Sequence, residues 1–590
     1  MKMQTNFKKK TLAAIVAATV SATTGFSGGV LAQDDDNKSS EGLLETIVVV
    51  GEATNALITA EDLELYQAND LADVFRHTPS INVGGSLGIA QKIYVRGLED
   101  SYVNVTVDGA PQTSTLFHHI GRVNVDPALL KEVEVQSGAG EATGGAGAIG
   151  GAIRFKTKDV NDLLAADEYF GGSVKANYFS NDGQQNSITL FGRLSDSWGV
   201  LAYYNDTDRD NIDDGDGDET LGTASDQNLG FFKISGNITD NQTLSLSYEK
   251  RDEEADFSAR PNWYVAPGSP LYKSEAERET YIANYTLELN ELVNLETTVY
   301  NTEQSYVGGR FDWLAEITTK GFDIRNTSQL GDHKFVYGID YREDEVISDG
   351  AFGGNRLKGG EDGEVLGVYA QVHSQLTDEL LLSYGARYDD YEYKQSITTA
   401  NGVPITNLPG AIAGTPSKFD ESDVSYNVGL AYQVTDAWLL GIGYAEAFRG
   451  KEIGDGFTFA EAPVTGSIAE GLDGESVSNI EASAEYTGQN LNFKVAVFQS
   501  EIDDVILDIP DRRTAYYQNV GTVENRGFEM SMTYSFDDFE AFVAFSSVDS
   551  EIDYDTISIT NGARMVVETE LRTSDINAHE HRGLGASVGD

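Results

Sequence analysis

The sequence predicts a membrane β-barrel with an N-terminal α+β domain inside its lumen, and three observations carry that prediction. From about residue 170 onward, strand-length segments alternate apolar or aromatic residues with polar ones, as in Leu244-Ser245-Leu246-Ser247-Tyr248. Tight polar turns join these segments at one end, and long acidic or Gly-rich loops join them at the other. Ahead of them stands a Gly-rich stretch of about 100 residues with mixed helix and strand patterns.

Composition agrees. Of 590 residues only 40% are hydrophobic, yet Tyr (29), Phe (26) and Gly (61) are plentiful and no apolar run after residue 50 reaches membrane-helix length. Lumen-facing polar residues dilute the apolar signal of transmembrane strands in this way. The formal charge of −54 argues against nucleic acid as a partner, since phosphates would be repelled. Cys is absent, which excludes disulfide scaffolds, thiol catalysis and cysteine-ligated metals.

Residues 1–32 read as a signal peptide. Lys2, Lys8, Lys9 and Lys10 precede an apolar stretch from Leu12 to Val20, and Val30-Leu31-Ala32 offers a cleavage site before Gln33. A membrane anchor would need about 20 apolar residues, more than this stretch holds. Residues 33–54 begin as a polar tail and then carry Glu45-Thr46-Ile47-Val48-Val49-Val50-Gly51, a β-branched strand-former. Such a segment suits edge-strand pairing with another protein, or forms the first strand of the domain that follows.

Residues 55–165 form that domain. Asp70 to His77 predicts a short helix ended by Thr78-Pro79, and strands are expected at Ile93 to Gly97, Val103 to Asp108, Val133 to Val135 and Ala152 to Lys156. Residues 166–590 form the barrel. Turns are expected near 195–199, 239–241, 330–333, 377–379, 435–437 and 537–538. Long loops are expected at roughly 207–227, 252–278, 343–363, 392–423, 449–476, 502–523 and 550–580. Counting strands gives about seventeen up to Ser547 and another near Arg582. Plugged barrels have 22 strands. The chain is therefore expected to be a 22-stranded type truncated at about 18 strands, with two edges unpaired.

ETIVVVG at Glu45 to Gly51, IYVRGLEDSYVNVTVDGAPQ from Ile93, VNVDPALLKEVEVQSGAGEATGGAGAIGGAIRFKTKD from Val123 and ENRGFEMSMTYSF from Glu524 together resemble the TonB-dependent receptor family of the Gram-negative outer membrane. The likeness spans the chain after the signal peptide, and it implies a TonB box at Glu45 to Gly51, a plug and a barrel embedded in outer-membrane lipid. Members of that family end in an aromatic residue, whereas this chain ends Ser-Val-Gly-Asp, which repeats the expectation of truncation. The plug most resembles haem and haemoprotein receptors. That resemblance implies import of haem or another ferric chelate, with the TonB protein as energy-transducing partner, no covalent chemistry and no resident cofactor. A ferric-siderophore receptor is the alternative, using side chains such as Trp263 or Trp313. A passive porin or an outer-membrane adhesin would lack the box and plug.

Haem receptors place one histidine on the plug and another in a barrel loop. LFHHIGR offers His118 and His119, whose imidazoles are good iron ligands or else a hydrogen-bonded structural pair. FRGKEI at Phe448 to Ile453 and GLDGESVSNIE from Gly471 resemble the flanking loop motifs, with Arg449 a ligand-binding candidate but no histidine between them. A second axial ligand would then come from elsewhere, such as Tyr516 or Tyr517, or the iron would take a single protein ligand. Asp206, Asp208, Asp210, Asp214 and Asp216 form an acidic loop that is a Ca²⁺ candidate through oxygen ligands. Asn211 stands where an EF-hand needs Gly, and a solvated loop is the plainer reading. The nucleophile-elbow pattern at Gly84 to Gly88 and the dinucleotide-like Gly145, Gly147 and Gly150 lack the strand-to-helix context either motif needs.

Overall fold

A computed structural model describes residues 55–84, 91–113, 121–123, 125–165, 167–180, 182–257, 265, 268–309, 313–352, 355–400, 403–404, 418–453, 467–468, 471–508, 516–536, 539–554 and 587–588. In the plug the strands are β1 (Ala56–Thr59), β2 (Ile81–Gly84), β3 (Lys92–Val95), β4 (Leu98–Glu99), β5 (Val103–Val107), β6 (Ala110–Pro111), β7 (Leu130–Ser137) and β8 (Gly151–Thr157). They form a five-stranded sheet in the order β1-β7-β8-β5-β6 and a three-stranded sheet β2-β3-β4. Period two explains the burial: in Val-Asn-Val-Thr-Val of β5 the three valines are buried and Asn104 and Thr106 are not. Ile153 and Phe155 of β8, Val133 of β7 and Val74 complete the same core.

Local signals set the helices. Thr59 and Asp62 exchange side-chain bonds with each other's backbone N–H groups, at 3.3 and 2.8 Å, and so cap α1 (Ala60–Leu65). Asp70 caps α2 (Leu71–Val74) by accepting from the N–H of Asp73 at 2.9 Å. This helix is shorter than the expected Asp70 to His77. The N–H of Thr78 turns back to the carbonyl of Phe75 at 2.8 Å, and Pro79 follows. After Gly145, Gly147 and Gly150 comes the strand β8, not a helix.

Seventeen long strands, from Phe170–Phe179 to Phe539–Tyr554, make the barrel among the described residues, each antiparallel to the next. The two edges expected to be unpaired are bridged. Ser587–Val588 pairs with Val543 and Ala544 and neighbours Phe170–Phe179, closing the ring. Ring closure matters because bilayer hydrocarbon satisfies no backbone polar group. No described helix is long and apolar enough to cross a membrane; the crossing is made by strands.

The outward face identifies the solvent. In Lys418–Thr435, Val424, Tyr426, Val428, Leu430, Tyr432 and Val434 are 37% to 49% exposed, while inward Asn427 and Ala431 are 4% and 6% exposed. A continuous apolar stripe outside with a polar lumen is the arrangement lipid favours. Several expected loops are strand. His333–Phe352 and Asn355–Thr377 pair along almost their whole length, so 343–363 is a hairpin extension. About 9 to 11 residues suffice to cross. Beyond the bilayer the ladder continues because its bonds are main-chain bonds, indifferent to the loss of apolar outward residues.

Candidate functional site

Arg96 ties the plug to the wall. It follows β3 in a turn where both Arg96 (φ 51°) and Gly97 (φ 82°) are left-handed, a conformation that costs a non-glycine residue about 1–2 kcal/mol. The turn is held by the N–H of Arg96 donating to the carbonyl of Ser80 at 2.8 Å. Its reward is direction. The guanidinium leaves the plug and meets Glu529 (Nε to Oε1, 2.7 Å) and Glu481 (Nη1 to Oε2, 3.3 Å), over the face of Phe498 at 3.9 Å. Burial alone would pull Arg96 down, but the two carboxylates more than offset it and hold it charged.

Gly138 makes room for that contact. It sits at φ +84°, and a Cβ there would lie 2.8 Å from Arg96 Nη1 and 3.1 Å from Asn479. Asn479 Nδ2 in turn donates to the carbonyl of Ala139 at 3.0 Å.

Further contacts are spaced around the ring. Asp126 accepts from Tyr203 Oη at 2.8 Å and from Asn205 Nδ2 at 3.0 Å. Lys233 lies 3.5 Å from Asp108 and 3.4 Å from Asp159. Thr113 donates to Asp344 at 2.9 Å, and the N–H of Ala142 donates to Gln371 at 3.1 Å. Near the short-turn rim Lys494 donates to the carbonyl of Asn55 at 2.8 Å. Apolar packing accompanies them: Leu98, Ala139 and Ile149 of the plug share a buried cluster with Ala445, Val477 and Ile502 of the wall, and Leu129 shares one with Leu201 and Leu229.

The sequence-derived candidates are placed unevenly. Arg449 does not project from a loop: it ends strand Trp438–Arg449 and is 2% exposed. Its Nη1 lies 2.6 Å from Glu475 and its Nη2 3.7 Å from Glu452, with the guanidinium 5.3 Å from the Tyr102 ring of the plug. Tyr516 and Tyr517 lie on strand Tyr516–Asn519, antiparallel to Ile506–Asp508 and parallel to Ser467–Ile468, so two long loops meet on the outer rim. Glu45 to Gly51, His118 and His119 lie outside the described residues.

Asp206 and Asp208 are rungs of strand Trp198–Arg209, opposite Asn228 and Asp226. Asp214 is occupied by the N–H groups of Asp216 (2.9 Å) and Asp218 (3.0 Å). Those backbone donors pull its carboxyl below the usual range. Asp206, Asp208, Asp210, Asp214 and Asp216 do not converge, and among the described residues no group of three or more His, Cys, Asp or Glu is arranged to hold a metal.

Sequence reading passed over Arg96, Glu481 and Glu529 as site residues. Arg96 had a signal, an arginine before glycine at a strand end. Glu481 and Glu529 had none, because an inward carboxylate on a barrel strand looks like any other polar lumen residue.

A closed barrel with a lipid-facing apolar belt, filled by a domain with sheets of its own held through polar and apolar contacts, defines a plugged outer-membrane receptor. Comparison with known proteins narrows the class. The family model for "TonB dependent receptor-like, beta-barrel" matches residues 158–571 and that for "TonB-dependent Receptor Plug Domain" matches residues 50–152. The chain belongs to the TonB-dependent receptor family, whose barrels reside in the outer membrane of Gram-negative bacteria.

Among relatives, the chain is 28% identical over 458 residues to the haem transporter BhuA of Brucella abortus (strain 2308), covering 75% of this chain and 66% of that one. It is 26% identical over 563 residues to haem/hemopexin utilization protein C of Haemophilus influenzae (strain 86-028NP), covering 82% and 76%. It thus spans just under two thirds of the Brucella transporter's length. The fold matches the FrpB iron transporter of Neisseria meningitidis (F3-3 variant) with TM-score 0.73 at 23% identity, covering 85% of this chain and 80% of that one. It matches the Serratia marcescens haemophore receptor HasR with TM-score 0.69 at 20% identity, covering 84% and 81%.

Proposed function

We propose that this protein imports haem across the outer membrane, powered by TonB. The observation that carries the import reading is the Arg96 junction: among the described residues the plug sheets form no ladder with the barrel and meet it through contacts such as this one, so force can displace the plug. Asn55 of the plug meets Lys494 at the short-turn rim, the periplasmic side, and Glu45 to Gly51 lies a few residues upstream in sequence. That β-branched segment is the TonB box, to which TonB adds as a strand. Haem as cargo rests on the Brucella and Haemophilus relatives, whose names state haem transport and haem/hemopexin utilization. His118 and His119 serve as plug-side iron ligands, with Tyr516 or Tyr517 as a partner from the outer loops.

The test is a haem titration of the receptor, followed at the Soret band, with a His118→Ala, His119→Ala double variant alongside. Saturable binding that weakens at least tenfold in the variant is expected. No spectral change in the native protein would overturn haem and leave a ferric siderophore as cargo.

A further inference from the structure

Between the plug and the wall strands from Ser225–Thr239 to Leu380–Ala400 lies a cavity of ≈ 550 Å³, within the range of small-molecule sites. Its lower lining, at Thr243, Thr286 and Glu296, is only a few residues from the short turns. Its upper end stops under Val365 and Arg342, where Arg342 is held by Asp344 (2.7 Å) and Glu452 and where Thr113 of the plug meets Asp344. The cavity therefore lies below the outer mouth, on the periplasmic side of that closure.

Its charge runs against the rest of the chain. Seven lining residues are Lys or Arg and five are Asp or Glu, an excess of two positive charges in a chain of formal charge −54. Strand register sorts part of this into rows. Arg325, Gly338, Tyr369 and Arg387 are successive cross-strand neighbours, and Asp323, Asp340, Gly367 and Asp389 form the next row up.

Glycine keeps the rows flat. A Cβ at Gly367 would land on the Arg387 guanidinium, and one at Gly338 would land on the Tyr369 hydroxyl. Arg387 is thus free to lie across Gly367 and grip Asp340 with two bonds of 2.7 Å while its Nε bonds Asp389 at 2.7 Å. Tyr369 donates to Asp323 at 2.8 Å and accepts from Arg325 Nε at 3.2 Å. Facing this wall, Arg154 of β8 is held by the carbonyl of Thr143 at 3.0 Å and more loosely by Glu134 at 3.7 Å. Arg154 and Arg325 both line the cavity, and Arg325 Nη2 lies 3.6 Å from Asp323.

We propose that this cavity is a transit subsite for carboxylates, in which an acidic group of the cargo rests between Arg154 of the plug and Arg325 of the wall on its way from mouth to periplasm. A carboxylate there accepts from two planar donors. The inference rests on the import reading, and the propionates of haem supply the chemistry.

Two arms keep the subsite and the cargo separable. The chain has no Cys, so Thr298→Cys, the cross-strand neighbour of Asp323 in the cavity lining, gives a single reporter thiol. In whole cells carrying the full receptor, a sulfonate-bearing methanethiosulfonate should react there about tenfold faster, relative to a trimethylammonium analogue, than free thiol chemistry predicts. Arg154→Gln with Arg325→Gln should abolish that preference, and Arg325→Lys should keep most of it. Heat-modifiable gel mobility confirms that each variant is folded. The same ratio in both backgrounds would overturn the proposal.

In the second arm, the Arg154→Gln, Arg325→Gln receptor should bind haem at the cell surface as the native one does but import it at least tenfold more slowly. Haem dimethyl ester should show no such difference. Normal import of haem by the variant would overturn the subsite and leave haem import standing. A charge-selective thiol in a receptor that binds no haem would leave the subsite standing and overturn haem as cargo.

Discussion

Arg96 Nε lies 2.7 Å from Glu529 Oε1, so one buried ion pair joins a turn of the plug to a strand that begins more than four hundred residues later. Glu481 flanks the same guanidinium at 3.3 Å. Arg96→Ala leaves both carboxylates buried without their cation, a loss of about 3–5 kcal/mol for breaking one side of a buried pair. Amide exchange in β3 and β7 should accelerate by two orders of magnitude or more. Arg96→Lys should recover part of this, because a point charge cannot reproduce the two-pronged geometry.

Glu141 predicts a pH dependence. It is buried on the plug, with His373 of the wall 3.6 Å away, and burial pushes its carboxyl up to about 7, opposed by Arg154, a Thr143 hydrogen bond and Lys334. A carboxyl raised in the folded state favours the seated plug while protonated. Its contribution is complete below the ordinary value of 4.5 and is lost as pH rises to about 7. Protease cleavage around residues 139–145 should therefore rise between pH 5 and pH 7.5, and Glu141→Gln should flatten the profile. A flat profile in the native protein would refute this assignment.

Asp126 both caps the turn Pro127–Leu129, accepting from the N–H of Ala128 at 2.9 Å, and accepts from Tyr203 and Asn205 of the wall. Asp126→Ala strands buried donors and should cost about 1–3 kcal/mol in plug seating. Urea titration of plug release, monitored apart from barrel unfolding, reads this directly. Tyr203→Phe should cost less, since it removes one donor of two.

Val428 is on the lipid-facing stripe and is 45% exposed. Val428→Arg should reduce barrel stability by about 2–4 kcal/mol if it lies at the bilayer midplane. The same change at the lumen-facing Asn427 should instead disturb its bonds to Gln371, and with them the contact from Gln371 to Ala142 of the plug. Refolding yields into vesicles and plug protease sensitivity distinguish the two effects.

Much of the architecture was legible in the residues themselves, because it depends on short-range rules. Alternation such as Val424, Tyr426, Val428, Leu430 states which side of a strand meets lipid, and Asp70 marks where the Leu71–Val74 helix begins, whereas the helix capped by Thr59 and Asp62 was not expected. Strand ends were less legible, since the ladder in Asn355–Thr377 outlasts the apolar pattern that announces it.

Only the tertiary structure decided which inward residues meet. Period two says that Glu481 and Glu529 face the lumen, but their meeting with Arg96, at separations of 385 and 433 residues, depends on ring closure and on how the plug is seated. Arg449 shows the same limit. In sequence it opens a loop motif; in the fold the wall carries it inward, where Glu475 and the Tyr102 ring enclose it. Facing direction is a property of each strand, whereas partnership in the lumen is a property of the closed barrel, and no local pattern encodes it.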